Sequence, residues 1–222
     1  MSADDLEQYE AEIEHQLFQD GLTEVEAADK AGFSTVWLTE HHFLEEYCHS
    51  SAPEMFLAAA SQRTRQIRLG HGILQLTTNH PARVAEQVAV LDLLSNGRCE
   101  FGMGESASDT ELEPFKVPFQ EKRAIFEEAV QAIIPAFRDG GHEHHGKYFD
   151  FPLRNILPKP LQKPCGSATR FTSAKLAGTA TANLSAPSPT KAVAGGPWRK
   201  RPNIKTNCSA LCCSARGASV PI

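Results

Sequence analysis

Three short apolar segments recur at an interval of about thirty residues with a helix-like pattern between each pair, and that interval narrows the possible folds more than any other feature. The segments cover residues 35–39, 67–74 and 98–103 and end near Glu40, Leu74 and Gly104. The first, Thr35-Val36-Trp37-Leu38-Thr39, is β-rich and mostly apolar, the composition of a parallel strand buried on both faces. Pro53 opens an expected helix through Thr64. Pro81 opens another behind a cap at Asn79 or His80, with Val84, Val88 and Leu91 as its buried stripe and Gly97 ending the turn. Parallel strands cannot be joined by tight turns, so strand–helix–strand units follow, and with them an α/β fold that is barrel-like or doubly wound.

Apolar positions at Leu6, Tyr9, Ile13, Leu17, Val25 and Ala28 suit one or two amphipathic helices ahead of the first strand, closed by Gly32. A further helix is expected over about residues 120–137, burying Ile125, Ala129, Ile133 and Phe137, with Pro135 kinking or ending it. Residues 147–151, between Gly146 and Pro152, predict a short strand. A dinucleotide-binding Rossmann fold is disfavoured. Its Gly-x-Gly-x-x-Gly turn should follow a strand, and here Gly102-x-Gly104 runs into Ser106-Ala107-Ser108.

Charge divides the chain into two parts. All 27 acidic residues lie at or before Asp150, and from Pro164 onward there is no Asp, Glu or His but there are eight Lys and Arg. The overall −5 is therefore −13 over residues 1–163 and +8 over residues 164–222. Ala, Ser, Thr, Gly and Pro make up 35 of the last 59 residues, too little large apolar surface to repay ordering. The expectation is an ordered domain over residues 1–163 and a disordered, low-complexity basic tail over residues 164–222. A basic tail can meet polyanions by charge alone, but nucleic-acid binding is not the favoured reading. Cys208, Cys212 and Cys213 have no histidine nearby, so a zinc site is disfavoured. No apolar run approaches the length of a membrane span and no secretory signal pattern is present, which predicts a cytoplasmic protein without membrane contact.

Side chains at the carboxyl ends of parallel strands are the ones a barrel places for chemistry, which singles out Glu40, His41 and His42. Histidine exchanges protons near neutrality and a neighbouring carboxylate can fix its tautomer. Adjacent strand residues face opposite ways, so at most one histidine is expected to face the barrel mouth while the other packs or bonds locally. Asn79 and His80 are read as helix caps, and Arg83 and Glu86 as a pair across one helical turn. His142-Glu143-His144-His145 sits in a glycine-flanked loop with no second ligand cluster, so no metal is expected there.

The run Gly32-Phe33-Ser34-Thr35-Val36-Trp37-Leu38-Thr39-Glu40-His41-His42-Phe43 resembles the second-strand signature of bacterial-luciferase-like flavin-dependent monooxygenases. Two more blocks agree in order and spacing. One is Arg68-Leu69-Gly70-His71-Gly72-Ile73 with Asn79-His80-Pro81-Ala82-Arg83-Val84-Ala85-Glu86-Gln87; the other runs from Leu91-Asp92-Leu93-Leu94-Ser95-Asn96-Gly97 to Gly102-Met103-Gly104. The resemblance implies a (β/α)8 TIM barrel, here a partial one lacking strand one and most of the C-terminal half. It implies catalysis by His41 beside the flavin, and flavin contacts at Glu40, His42, Gly72, Ile73, Gly102, Gly104, Glu105 and Ser106. Many relatives are basic where this chain has Glu105. The implied cofactor is reduced FMN, with the deazaflavin F420 in some branches. The implied partners are a flavin reductase, molecular oxygen, a small organic substrate and a second copy of the chain. The abrupt loss of acids and histidines at residue 164 suggests a frame-shifted or mis-spliced tail. The alternative reading is a non-catalytic remnant.

Overall fold

The computed structural model describes residues 3–45, 48–162 and 211–215, with residues 3–11 and 211–215 as backbone. A single helix, α1 (Ala3–Ala31), occupies the expected one-or-two-helix region, and Gly32 closes it at φ +85°, where a side chain would be strained. There follow β1 (Phe33–Leu38), α2 (Pro53–Arg63), β2 (Arg68–Gln75), α3 (Pro81–Leu94) and β3 (Cys99–Gly104). A one-turn helix, α4 (Asp109–Leu112), and two 3-10 turns lead to α5 (Lys122–Ala136), which ends one residue after Pro135. The hairpin β4 (His142–His145) and β5 (Asp150–Arg154) comes next, and β6 (Leu211–Ala215) is the last described element.

The main sheet has the order β3-β2-β1-β6. β1 and β2 run parallel, with Val36 opposite Leu69, and β2 runs parallel to β3, with His71 opposite Phe101. α2 and α3 are the crossovers that parallel pairing demands. Val36, Leu38, Leu69, Phe101 and Met103 belong to one buried cluster with Leu57, Val84, Val88, Ala129 and Ile133 of the helices. β1 is not buried on both faces as its composition suggested. Val36 and Leu38 are buried while Trp37 and Thr39 are partly open, and the Trp37 ring lies over Gly70.

Buried polar side chains fix how the helices meet the sheet. Asp29, near the end of α1, accepts the backbone N–H groups of Arg65, Gln66 and Ile67 at 2.8, 2.9 and 2.6 Å, locking the turn into β2. The Arg98 guanidinium donates to Ser61 O, Thr64 Oγ1, Ile67 O and Ser95 O, tying together the ends of α2 and α3 and the start of β2. His80 caps α3 by accepting the Ala82 N–H, and Arg83 and Glu86 pair across one turn at 3.7 Å, as the sequence led us to expect.

Three expectations change. His142–His145 is not a loop but the strand β4, because its backbone pairs antiparallel with β5 and the His142 ring reaches Ala132 O on α5. The strand expected over residues 147–151 begins instead at Asp150, since Lys147, Tyr148 and Phe149 give their N–H groups to Glu128. Within the segment expected to be disordered, residues 211–215 form β6, antiparallel to β1, because the outer edge of β1 offers backbone groups that any extended chain can satisfy. The remainder of residues 164–222 lies outside the described residues. Among those described, no strand precedes Phe33, and no helix is long and apolar enough to cross a membrane.

Candidate active site

The chain leaves β1 at Leu38, and the next residues cross the carboxyl ends of the parallel strands. Two backbone-directed bonds hold this exit: Ser50 Oγ donates to Thr39 O at 2.7 Å, and His41 N donates to Ser50 O at 2.9 Å. Phe43 then takes φ +59°, an uncommon conformation for a bulky residue, which turns the chain sharply after His42.

Each histidine meets its own carboxylate. The His41 ring is bonded through Nδ1 to Glu111 Oε1 at 3.2 Å, and His42 through Nε2 to Glu40 Oε1 at 2.9 Å. Glu111 comes from α4, about seventy residues along the chain, and is almost fully buried. Its Oε1 also accepts His42 N at 3.0 Å and Gln75 Nε2 at 2.9 Å, and its Oε2 accepts Ser106 Oγ at 2.8 Å. Burial alone would raise the Glu111 pKa. The Ser106 hydroxyl, the His42 N–H, the Gln75 amide and His41 outweigh it and hold the group below the ordinary carboxylate range, so Glu111 is an anion at neutral pH. An anion at Nδ1 selects the tautomer with the proton on that nitrogen, which makes Nε2 the basic atom of neutral His41.

Glu40 is 4% exposed, and it accepts Gln75 N at 2.7 Å and Asn79 Nδ2 at 3.3 Å in addition to His42. Beside this pair lies a cavity of about 90 Å³ whose walls include Glu40, His42, Glu54, Asn79, Gln87 and Phe115. The Phe115 ring meets the His42 ring edge-on at 5.0 Å. Glu54, in the first turn of α2, has its pKa raised chiefly by burial and further by the charge of Glu40.

Ser106 adopts φ +62°, a strained conformation that fits its double duty of bonding Glu111 through its hydroxyl and Lys122 Nζ through its carbonyl. Gly72 and Ile73 fall where the β2–β3 register shifts. Gly102 and Gly104 have a packing explanation: a Cβ on Gly102 would overlap the carbonyl oxygens of His71 and Gly72, and one on Gly104 would press on the Ile73 side chain. The Glu105 carboxylate lies 3.8 Å from Arg123 of α5, and its carbonyl accepts the Thr77 hydroxyl.

The structure therefore gathers Glu40, His41, His42 and Ser106 into one network. It adds Glu111, Gln75 and Asn79, of which the sequence marked only Asn79, and as a helix cap. Ser108-x-x-Glu111 has the form of a helix capping box, a pattern that would have assigned Glu111 to its own helix; Ser108 in fact makes no cap bond. His142, His144 and His145 go to separate partners, Ala132 O, Glu128 and Asp150, and serve the hairpin.

The chain matches the family model described as luciferase-like monooxygenase over residues 5–190. It is 30% identical over 158 residues to the oxygenase component of flavin-dependent trigonelline monooxygenase from Acinetobacter baylyi, covering 69% of this chain and 42% of that protein. Among solved structures it resembles the monooxygenase RslO1 from Streptomyces bottropensis, with a TM-score of 0.64, 35% identity and coverage of 66% of this chain and 45% of that one. It also shares its fold with the oxygenating constituent of 3,6-diketocamphane monooxygenase from Pseudomonas putida, solved with FMN, at a TM-score of 0.58, 23% identity and coverage of 62% and 38%. The chain spans about half the length of the curated relatives it matches.

Proposed function

The chain belongs to the luciferase-like monooxygenase family, and from that premise we propose that it is the active-site half of a flavin-dependent monooxygenase in which His41 is the acid–base residue. β1, β2 and β3 are read as consecutive strands of a (β/α)8 barrel, which puts the Glu40–His42 segment at the catalytic end. The observation that carries the reading is the His41–Glu111 bond: a buried anion holds the ring of a histidine just beyond the end of β1.

The residues at this site fit a flavin. Gln75 Oε1 is buried and has no hydrogen-bond partner among the described residues, and an N–H edge would satisfy it. Bound there, reduced FMN would supply the electrons that reduce molecular oxygen, one oxygen atom entering an organic substrate and the other leaving as water. Glu40, His42, Gly72, Ile73, Gly102, Gly104, Glu105 and Ser106 are the proposed surroundings of that flavin. Within them the chain does three things. His41 takes and returns a proton at Nε2, Glu111 stabilises the imidazolium that results, and the Glu40–His42 pair holds the neighbouring wall. A reductase that delivers reduced flavin is the proposed partner, in line with the relative named as an oxygenase component, and a second copy of the chain is the proposed assembly.

Anaerobic titration of the purified chain with reduced FMN, and in parallel with reduced F420, tests this. Saturable FMN binding that weakens in His41→Ala supports the proposal. Saturable binding of F420 alone would reassign the cofactor, and no binding of either would favour the non-catalytic reading.

A further inference from the structure

Gln75 ends β2 opposite Gly104 of β3, so its backbone is held by the sheet, and the residue is 1% exposed. It bonds to both carboxylates at once. Its backbone N–H donates to Glu40 Oε2 at 2.7 Å, and its amide nitrogen donates to Glu40 O at 3.1 Å and to Glu111 Oε1 at 2.9 Å. The two amide hydrogens are thus spent on Glu40 and Glu111. Rotating the amide by half a turn would bring a carbonyl oxygen against a carboxylate and another carbonyl, so its orientation is set by charge.

We propose that Gln75 is a positioning residue that joins the His41–Glu111 and His42–Glu40 pairs into one hydrogen-bonded unit, so that the protonation states of the two histidines are linked. The proposal deepens the monooxygenase reading and rests on it for its meaning in catalysis, though not for its test. Glu111 Oε1 receives His41, His42 N and Gln75 together, so any movement of the amide reaches both histidines. In a linked pair the two protonation steps belong to the pair and not to either histidine alone. The charged groups around the amide are Glu40, His41 and His42 after β1 and Glu111 of α4. Beyond them lie Glu54 of α2 across the cavity and Lys122 of α5 at the Ser106 carbonyl.

Ring 15N and 13C shifts of His41 and His42, followed through pH titration of the flavin-free full chain, read the linkage directly. In Gln75→Glu a third carboxyl replaces the bridging donor, and both histidine midpoints rise together by about one pH unit or more. In the parent chain, His42→Gln shifts the His41 midpoint. In Gln75→Met the bridge is removed at similar volume, and the shift that His42→Gln causes at His41 shrinks. Unchanged midpoints in a folded Gln75→Glu, a shift in only one histidine, or an undiminished effect of His42→Gln on His41 in the Gln75→Met background would each overturn the proposal. If the glutamate variant does not fold, the methionine variant and the His42→Gln shift decide. Because these readouts use the chain without flavin, they can fail while FMN binding succeeds, or succeed while it fails.

Discussion

Glu111 Oε1 lies 3.2 Å from His41 Nδ1, although the two residues are seventy positions apart and sit on different elements. Glu111→Gln keeps the shape and removes the charge that steadies protonated His41. On the proposed acid–base role of His41, turnover with reduced FMN is expected to fall about ten- to a hundred-fold, with circular dichroism unchanged, since orienting such a histidine is worth at least that much. Wild-type turnover in this variant would remove the pair from the mechanism.

His71 is a third histidine with an unusual setting, remote in role from the first two. Its ring is fully buried against Phe101, and neither nitrogen has a hydrogen-bond partner among the described residues. Burial pushes its pKa down to about 4 from the ordinary 6.5, against the opposing pull of the nearby Glu100 backbone carbonyl, which is too poorly placed for a full hydrogen bond. The folded chain therefore holds His71 neutral at pH values where the unfolded chain already binds a proton. The His71 contribution to stability is full above about pH 6.5, erodes as pH falls towards 4, and levels off below that. The shift corresponds to about 3 kcal/mol across the window. His71→Leu is expected to flatten the pH dependence of urea unfolding between about pH 6.5 and pH 4 relative to the parent. An equal slope in both proteins would show that the ring finds a partner on protonation.

The strands and helices that carry the site were legible because each pairs a local pattern with a boundary residue. Pro53 and Pro81 open α2 and α3, and Gly32 and Gly97 take positive φ at turns that follow helices. β4 was hidden because four polar residues have no apolar alternation, and its strand form comes from partners on β5 and α5. His41 was legible through a motif, but Glu111 was not. Its role exists only once the β3–α4 segment brings it to the end of β1, and no spacing rule links positions 41 and 111. The expectation that at most one histidine would face the mouth while the other packed or bonded locally did not foresee that both rings are paired to buried carboxylates.

Asp29 illustrates a cost that the fold accepts. It sits near the C-terminal end of α1, where the helix dipole disfavours a negative charge, and it is buried. Burial pushes its pKa up, but the N–H groups of Arg65, Ile67 and Gln66 outweigh that and leave it below the usual range. Its contribution is present above the unfolded carboxyl pKa of about 4 and is lost as pH falls through the lower folded value. Asp29→Asn keeps one acceptor and loses the charge, and it is expected to cost about 1–3 kcal/mol at neutral pH by denaturant unfolding. The difference should narrow in acid; a constant difference at all pH values would mean that charge is not what holds the turn.

Gly102 separates a packing role from a cofactor role. A Cβ at this position would overlap the carbonyl oxygens of His71 and Gly72, and a backbone in a paired strand cannot yield as a flexible side chain can. Gly102→Ala should therefore destabilise the flavin-free chain by about 1–3 kcal/mol, the usual range for overpacking, or shift β3 against β2. Gly32→Ala is the control: it has open space around the added carbon, and only its positive φ opposes the change, at about 1 kcal/mol. If Gly102→Ala instead left unfolding unchanged and weakened only FMN binding, the close strand contact would be tolerant and the glycine would exist for the ligand. Loss of stability with no ligand present means that strand packing alone requires a glycine there, whatever the flavin needs.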